Sequence, residues 1–173
     1  MLSMTQSTNI LANVYQVDQK RLQRTRKALS DMGALPANVG RDLPEASPDR
    51  VALLILGASI NDPERICKLA DLRSFTKDPR DQADPKTLCN VLAFSLMGLF
   101  NNPMQGLDMN LTVTLTGTPW ASITNSDNQA LMSFGEFRAN STYVMNYSVI
   151  SLLPLMDYVT MSKTATPPYR KSA

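Results

Sequence analysis

Apolar positions in this chain follow a helical period up to about residue 100 and a two-residue period soon after it. Between Asn9 and Tyr15, the apolar residues Ile10, Leu11, Val14 and Tyr15 keep to one side of a helix. Gln16-Val17-Asp18 reads as a short turn. Asp18 is the expected N-cap of the next helix, because its carboxylate can accept from the free amides of the first turn. This second helix is predicted from about Gln19 to Asp31, with Leu22, Ala28, Leu29 and Met32 on one side and Gly33 as a left-handed stop. Ser47-Pro48, Asp62-Pro63 and Asp84-Pro85 each put a capping side chain before a proline that suits the first helical position. They predict helices at about 48–59, 63–74 and 85–100.

Farther on, Met109, Leu111, Val113 and Leu115 alternate with Asn110, Thr112, Thr114 and Thr116, the pattern of a strand with one buried face. Pro119 ends it. Trp120 to Thr124 is read as a second strand. Asn125-Ser126-Asp127-Asn128 is a turn signal, and Ala130 to Phe134 returns as the hairpin partner. A further strand is expected over Tyr143 to Ile150, and a closing helix over Ser151 to Met161 with Pro154 in its first turn. The expected class is α+β. Residues 1–60 form a helical unit, 61–106 connecting helices, 107–163 a small antiparallel sheet with its closing helix, and 164–173 a loose tail.

Composition narrows the chemistry. With 173 residues, 43% apolar and 18% charged, the chain suits one solid domain or two small ones. The most apolar stretch, Leu88 to Phe100, contains Asn90 and Ser95 and is too short for a membrane span, so it is read as a core helix. Met1 to Gln6 shows no secretory pattern, and a cytoplasmic protein with no membrane association is expected. There is no histidine, which removes Ser-His-Asp triads, His-activated cysteines and the usual zinc sites. Cys67 and Cys89 lack ligand spacing and are expected to be buried free thiols. Asp71, Asp81 and Glu136 have uninformative spacing, and the alternating charges from Arg73 to Asp84 read as a solvated connector. The expectation is therefore a non-enzyme with no cofactor and no metal. Trp120 and the methionines, Met97, Met104, Met109, Met132, Met145 and Met156 among them, are assigned to core packing.

Charge adds a local feature. The formal net charge is only +2, yet Lys20, Arg21, Arg24, Arg26 and Lys27 are five of the seventeen basic residues and fall within eight positions. On the second helix, Lys20, Gln23, Arg24 and Lys27 share one face and the leucines another. Lys20 and Arg21 stand in the first turn, where the helix dipole disfavours cations, which suggests an N-terminal end that meets an anion. Two helices joined by a turn, with Val17 as its apolar contact, make a helix-turn-helix. In such units the second helix enters the major groove. Gln19 and Gln23 would then contact adenine and Lys20 and Arg24 guanine, while Arg21, Arg26 and Lys27 would reach phosphates.

Gly33-Ala34-Leu35-Pro36, Asn38-Val39-Gly40-Arg41 and Ser47-Pro48-Asp49-Arg50 continue this order as a stop, a glycine-arginine loop and a capped helix. Over residues 8 to 59 the chain resembles the DNA-binding domains of MerR-type regulators and the winged helix-turn-helix of small phage and prophage proteins. It lacks the tyrosine pair usual in the second helix of the MerR family and has no long heptad helix afterwards, so only the docking mode is implied. Arg41 is the wing contact in that reading.

The expected protein binds double-stranded DNA, belongs to a bacterium or its phage, and works as a homo-oligomer. It is either a transcriptional regulator or the DNA-recognition subunit of a packaging machine. The alternative is a structural or interaction protein, a virion component or an inhibitor, whose helix-turn-helix is scaffold and whose C-terminal half meets a protein partner.

Overall fold

The computed structural model describes residues 2–37, 44–75, 86–102, 108–135 and 146–165. Four helices come first: α1 (Met4–Val14), α2 (Gln19–Asp31), α3 (Pro48–Ser59) and α4 (Pro63–Ala70). A two-residue strand β1 (Ser74–Phe75) and helix α5 (Leu88–Asn101) come next. Strands β2 (Met109–Thr114), β3 (Ala121–Asn125), β4 (Ala130–Phe134) and β5 (Tyr147–Ser151) precede the closing helix α6 (Leu155–Ala165). The protein is α+β, with its helices concentrated in the N-terminal half.

Helix α1 starts five residues before the expected Asn9 because Ser3 and Gln6 form a reciprocal capping box. It ends in a Schellman motif: the Gln16 amide donates to the Asn13 carbonyl and the Val17 amide to the Ala12 carbonyl. Gln16 takes the left-handed conformation this requires, at φ 53°. Val17 turns back onto the core, and Asp18 caps α2 by accepting from the Lys20 and Arg21 amides at 3.3 and 3.0 Å. Helix α2 ends the same way, now with Gly33 at φ 78° and the Ala34 amide on the Leu29 carbonyl. One capping box, one Asx cap and two Schellman turns thus set the four ends of the helix pair.

Helix α3 is the centre of the helical layer. Val51, Ala52, Leu54, Ile55, Leu56, Gly57 and Ala58 are all buried. Helices α1, α2, α4 and α5 pack around it. Gly57 allows α2 to come close: a Cβ there would lie 3.2 Å from Thr25 Cγ2 and 3.4 Å from Leu22 Cδ1. Helix α5 begins at Leu88, capped by Thr87, and the expected Asp84-Pro85 start lies outside the described residues. It buries Leu88, Leu92, Ala93, Leu96 and Leu99 but leaves Phe94 and Met97 exposed, so it is one-sided rather than fully buried, and Met97 is no core residue. Met109, Met132 and Met156 do pack against the core.

The sheet runs β1-β4-β3-β2-β5, with every pairing antiparallel. Leu111, Val113, Ala121, Ile123, Phe134 and Ile150 are buried and Thr112 and Thr124 on the other face are half-buried, as the alternation predicts, but Thr114 and Ser122 on that face are also buried and Leu115 is exposed, contrary to it. One hydrophobic core runs from α1 to α6 and does not divide at residue 60 or 107. Tyr158 of α6 shares a 2.7 Å hydrogen bond with Ser7 of α1 and meets Phe100 of α5 edge to face.

Arg65 of α4 joins the layers by hydrogen bonds. Its Nε donates to the Thr114 carbonyl at 3.0 Å and its Nη1 to the Gly117 carbonyl at 2.7 Å. Its Nη2 donates to Thr114 Oγ1 at 2.6 Å and to the Thr116 carbonyl at 3.2 Å. The planar fork thereby holds the β2–β3 turn, and the residue is 9% exposed. Burial lowers the Arg65 pKa from its usual value, and nearby Asp62 opposes that shift.

These contacts make two substitutions informative. Gln16→Gly, which removes an exposed side chain from a left-handed position, is expected to stabilise the chain by about 0.5–1 kcal/mol. A higher urea midpoint at unchanged slope is the readout, and a lower midpoint refutes the assignment. Arg65→Met is expected to cost about 3 kcal/mol in the same titration, because it strands carbonyls of the β2–β3 turn.

Candidate nucleic-acid interface

Helix α2 carries the basic run, and its docking divides that run into two sets. Leu22, Thr25 and Leu29 are buried and define the inner face. Arg21 and Arg26 stand on either flank of this stripe, each about a quarter-turn from it. Both point their guanidinium groups at the protein itself. Arg21 Nη2 donates to the Gly57 carbonyl at 3.0 Å and also to the Ala58 carbonyl, so it caps the C-terminal turn of α3. Arg26 Nη1 donates to Thr5 Oγ1 of α1 at 3.2 Å. Burial lowers the Arg26 pKa from the usual arginine value. The Nε atoms of both arginines are buried and make no hydrogen bond among the described residues.

This corrects the expectation that Arg21 and Arg26 reach phosphates: as placed, they brace α2 against α3 and α1. Gln23 is also engaged, its Nε2 donating to Asn9 Oδ1 at 2.7 Å. An amide tied down in this way does not present both of its groups to a base edge.

The second set faces outward. Gln19, Lys20, Arg24 and Lys27 are exposed. Lys20, Arg24 and Lys27 recur at spacings of four and three, so their stems rise along one ridge. Arg24 is the most constrained of them. Its Nε donates to the Lys20 carbonyl at 3.3 Å, and its Nη2 lies 4.0 Å from Asp18 Oδ2 with both side chains largely exposed. A pair at that distance and exposure holds the side chain only weakly. Asp31, also exposed, stands at the far end of the ridge.

Two open hollows flank the ridge. One, of about 530 Å³, is lined by Gln23, Arg24, Arg26 and Lys27 with Leu35 and Pro36. The other, of about 550 Å³, is lined by Gln19, Lys20, Gln23 and Arg24. The N-terminal end of α2 is not a free anion site, contrary to the sequence expectation. Asp18 already takes the Lys20 and Arg21 amides and supplies the negative charge that the dipole favours. Arg41, expected as the wing contact, lies outside the described residues.

Elsewhere, Trp120 is half-buried, with its amide donating to Thr114 Oγ1 at 2.9 Å. Both thiols are half-buried rather than fully buried. Burial, with Asp49 and Asp71 adding to it, pushes the Cys89 thiol up to about 11, and the Cys67 thiol is raised by burial and by Asp71. A thiol raised in this way is a poor nucleophile at neutral pH. Among the described residues, no helix is long and apolar enough to cross a membrane. No protein-family model, curated protein or solved structure matches the chain.

The partners of the inward set were not legible in the sequence. Asn9, Thr5 and the carbonyls of Gly57 and Ala58 lie 14 to 37 positions from the side chains they meet. The readable signal was the place of Arg21 and Arg26 beside the leucine stripe, where an arginine can bury its stem.

The two sets separate in stability measurements. Arg21→Ala is expected to lose about 2 kcal/mol, since it uncaps α3. Arg24→Ala is expected to stay within about 0.5 kcal/mol of the parent. Equal losses in parallel urea titrations count against the division.

Proposed function

We propose that this protein binds double-stranded DNA through the outward ridge of α2. Lys20, Arg24 and Lys27 would meet phosphates and guanine edges, and Gln19 an adenine edge. The observation that supports this reading is the sorting of charge within one helix. The arginines that the fold uses face inward, and the cations left exposed line up on a single ridge. A helix so placed after a tight turn suits the second position of a helix-turn-helix, whose recognition helix lies in the major groove. The winged form of that unit, with Arg41 on its wing, belongs to the same proposal.

Three ridge cations make a weak reader, because each neutralised phosphate contributes only one released counterion. A regulator that pairs two readers, or a packaging subunit that gathers more in a ring, multiplies the contacts. Both act on DNA in the cytoplasm of a bacterium. The scaffold reading keeps one observation in its favour: Arg21, Gln23 and Arg26 are already used within the chain.

Binding to mixed-sequence duplex at several salt concentrations decides between them. The parent is expected to show a slope of log K against log salt of roughly −2.7 per bound chain, from about three phosphates. The Lys20/Arg24/Lys27→Ala variant should lose most of that slope and at least roughly tenfold in affinity near 0.1 M salt. Arg21→Ala, measured under conditions where it is folded, should bind like the parent. Equal binding by parent and triple variant, or a parent affinity indifferent to salt, sinks the proposal.

A further inference from the structure

Strand β5 closes one side of the sheet, and among the described residues no strand pairs with its outer edge. Its pairing with β2 shows which main-chain groups are left there. The Leu152 amide donates to the Met109 carbonyl at 2.9 Å, and the Leu115 amide to the Asn146 carbonyl at 2.7 Å. In an antiparallel ladder these two bonds fix the alternation between them. Ser148 and Ile150 turn both N–H and C=O toward β2, as do the Asn146 carbonyl and the Leu152 amide at the two ends. Tyr147, Val149 and Ser151 turn theirs outward.

The side chains of Tyr147 and Val149 stand in solvent, while the Ser151 hydroxyl accepts from the Leu153 amide at 3.3 Å. Tyr147 is 65% exposed and Val149 56%, and Leu153 just beyond the strand is 52% exposed. Ser148 and Ile150, between them, are half-buried and buried. Sheet edges in soluble proteins are commonly guarded by lysine, by proline or by a bulge. From Asn146 to Leu153 there is no charged residue and no proline, and the β2–β5 register runs without a shift. The opposite edge differs: β1 is two residues long.

We propose that β5 is a homodimer interface, in which a second copy of the chain adds its own β5 antiparallel across a two-fold axis at Val149. The geometry suits self-pairing. With the axis at Val149, each Val149 faces its counterpart, and Tyr147 of each copy faces Ser151 of the other. The outward N–H and C=O groups then fall opposite one another as hydrogen-bonded pairs. At the axis a residue meets its own copy, so a charge there would face its like; Val149 is uncharged, as are the Tyr147 and Ser151 that flank it. The isologous contact closes after two copies and leaves no further edge of this kind. The assembly is independent of what α2 binds, and its test involves no DNA.

The experiment is sedimentation equilibrium of the full chain from about 1 to 100 µM, with two substitutions at the axis and one away from it. Val149→Pro removes an N–H that the β2 pairing does not use, so it blocks the edge while sparing the sheet. It is expected to raise the dimer dissociation constant at least ~100-fold. Val149→Lys keeps the main chain intact and sets like charges against each other at the axis, and it should dissociate the dimer in a salt-sensitive way. Leu131→Lys, at an exposed residue of β4, should leave the dimer unchanged. Far-UV circular dichroism and the thermal midpoint establish that each variant is folded. A parent that stays monomeric at every concentration overturns the proposal, whether its edge takes a strand of another protein or none. So does a dimer that both folded Val149 variants retain.

Discussion

The burial of α3 on nearly all sides is the constraint around which the other elements are arranged. A helix made of Val51, Ala52, Leu54, Ile55, Leu56 and Ala58 has no face it can show to water without loss, so four other helices cover it. Its C-terminal carbonyls are drawn into the interior with it, and buried carbonyls need donors. Arg21 supplies one for Gly57 and Ala58. That hydrogen-bonding need, together with the close approach at Gly57, sets the rotation of α2 about its own axis. The rotation in turn decides which cations reach the surface. The candidate interface is thus a consequence of how α3 is covered.

The joint between helices and sheet rests on a different kind of contact. Arg65 turns four hydrogen bonds onto the β2–β3 turn, spending its fork on carbonyls and one hydroxyl instead of a carboxylate. Such a bond set is directional, whereas the apolar core is not. It locks the turn onto α4 and so relates the sheet to the helix layer. With α6 bonded back to α1 through Tyr158 and Ser7, the last element closes on the first. The apolar core is accordingly continuous across the places where the sequence period changes.

Much of this architecture was readable because local signals are strong here. The Asp18 cap, the Gly33 stop and the proline at the start of α3 and α4 placed those termini to within a residue. The Met109–Leu115 alternation and the Asn125–Asn128 turn likewise placed the β2, β3 and β4 strands. The misses have local causes too. Leucine and isoleucine mark where a helix is apolar, not where it starts, and the Ser3–Gln6 box was the missing start signal for α1. Helix α4 stops at Ala70, short of the predicted 74, because β1 draws residues 74 and 75 into the sheet. Helix α6 starts four residues late because β5 extends to Ser151.

By itself, the sequence determined the class of the protein, the order of its elements apart from β1 and the concentration of positive charge on α2, since periodicity, caps and charge runs are all local. Tertiary structure alone decided which of those charges are free. Arg21 and Arg24 are chemically alike and three positions apart in one helix. One meets carbonyls 36 and 37 residues away and becomes part of the framework, while the other stays on the ridge. The same holds for β5: its pattern is that of any half-buried strand, and only the order β1-β4-β3-β2-β5 makes it an edge among the described residues. A side chain's role depends on what lies across from it, and that neighbour is distant in the chain.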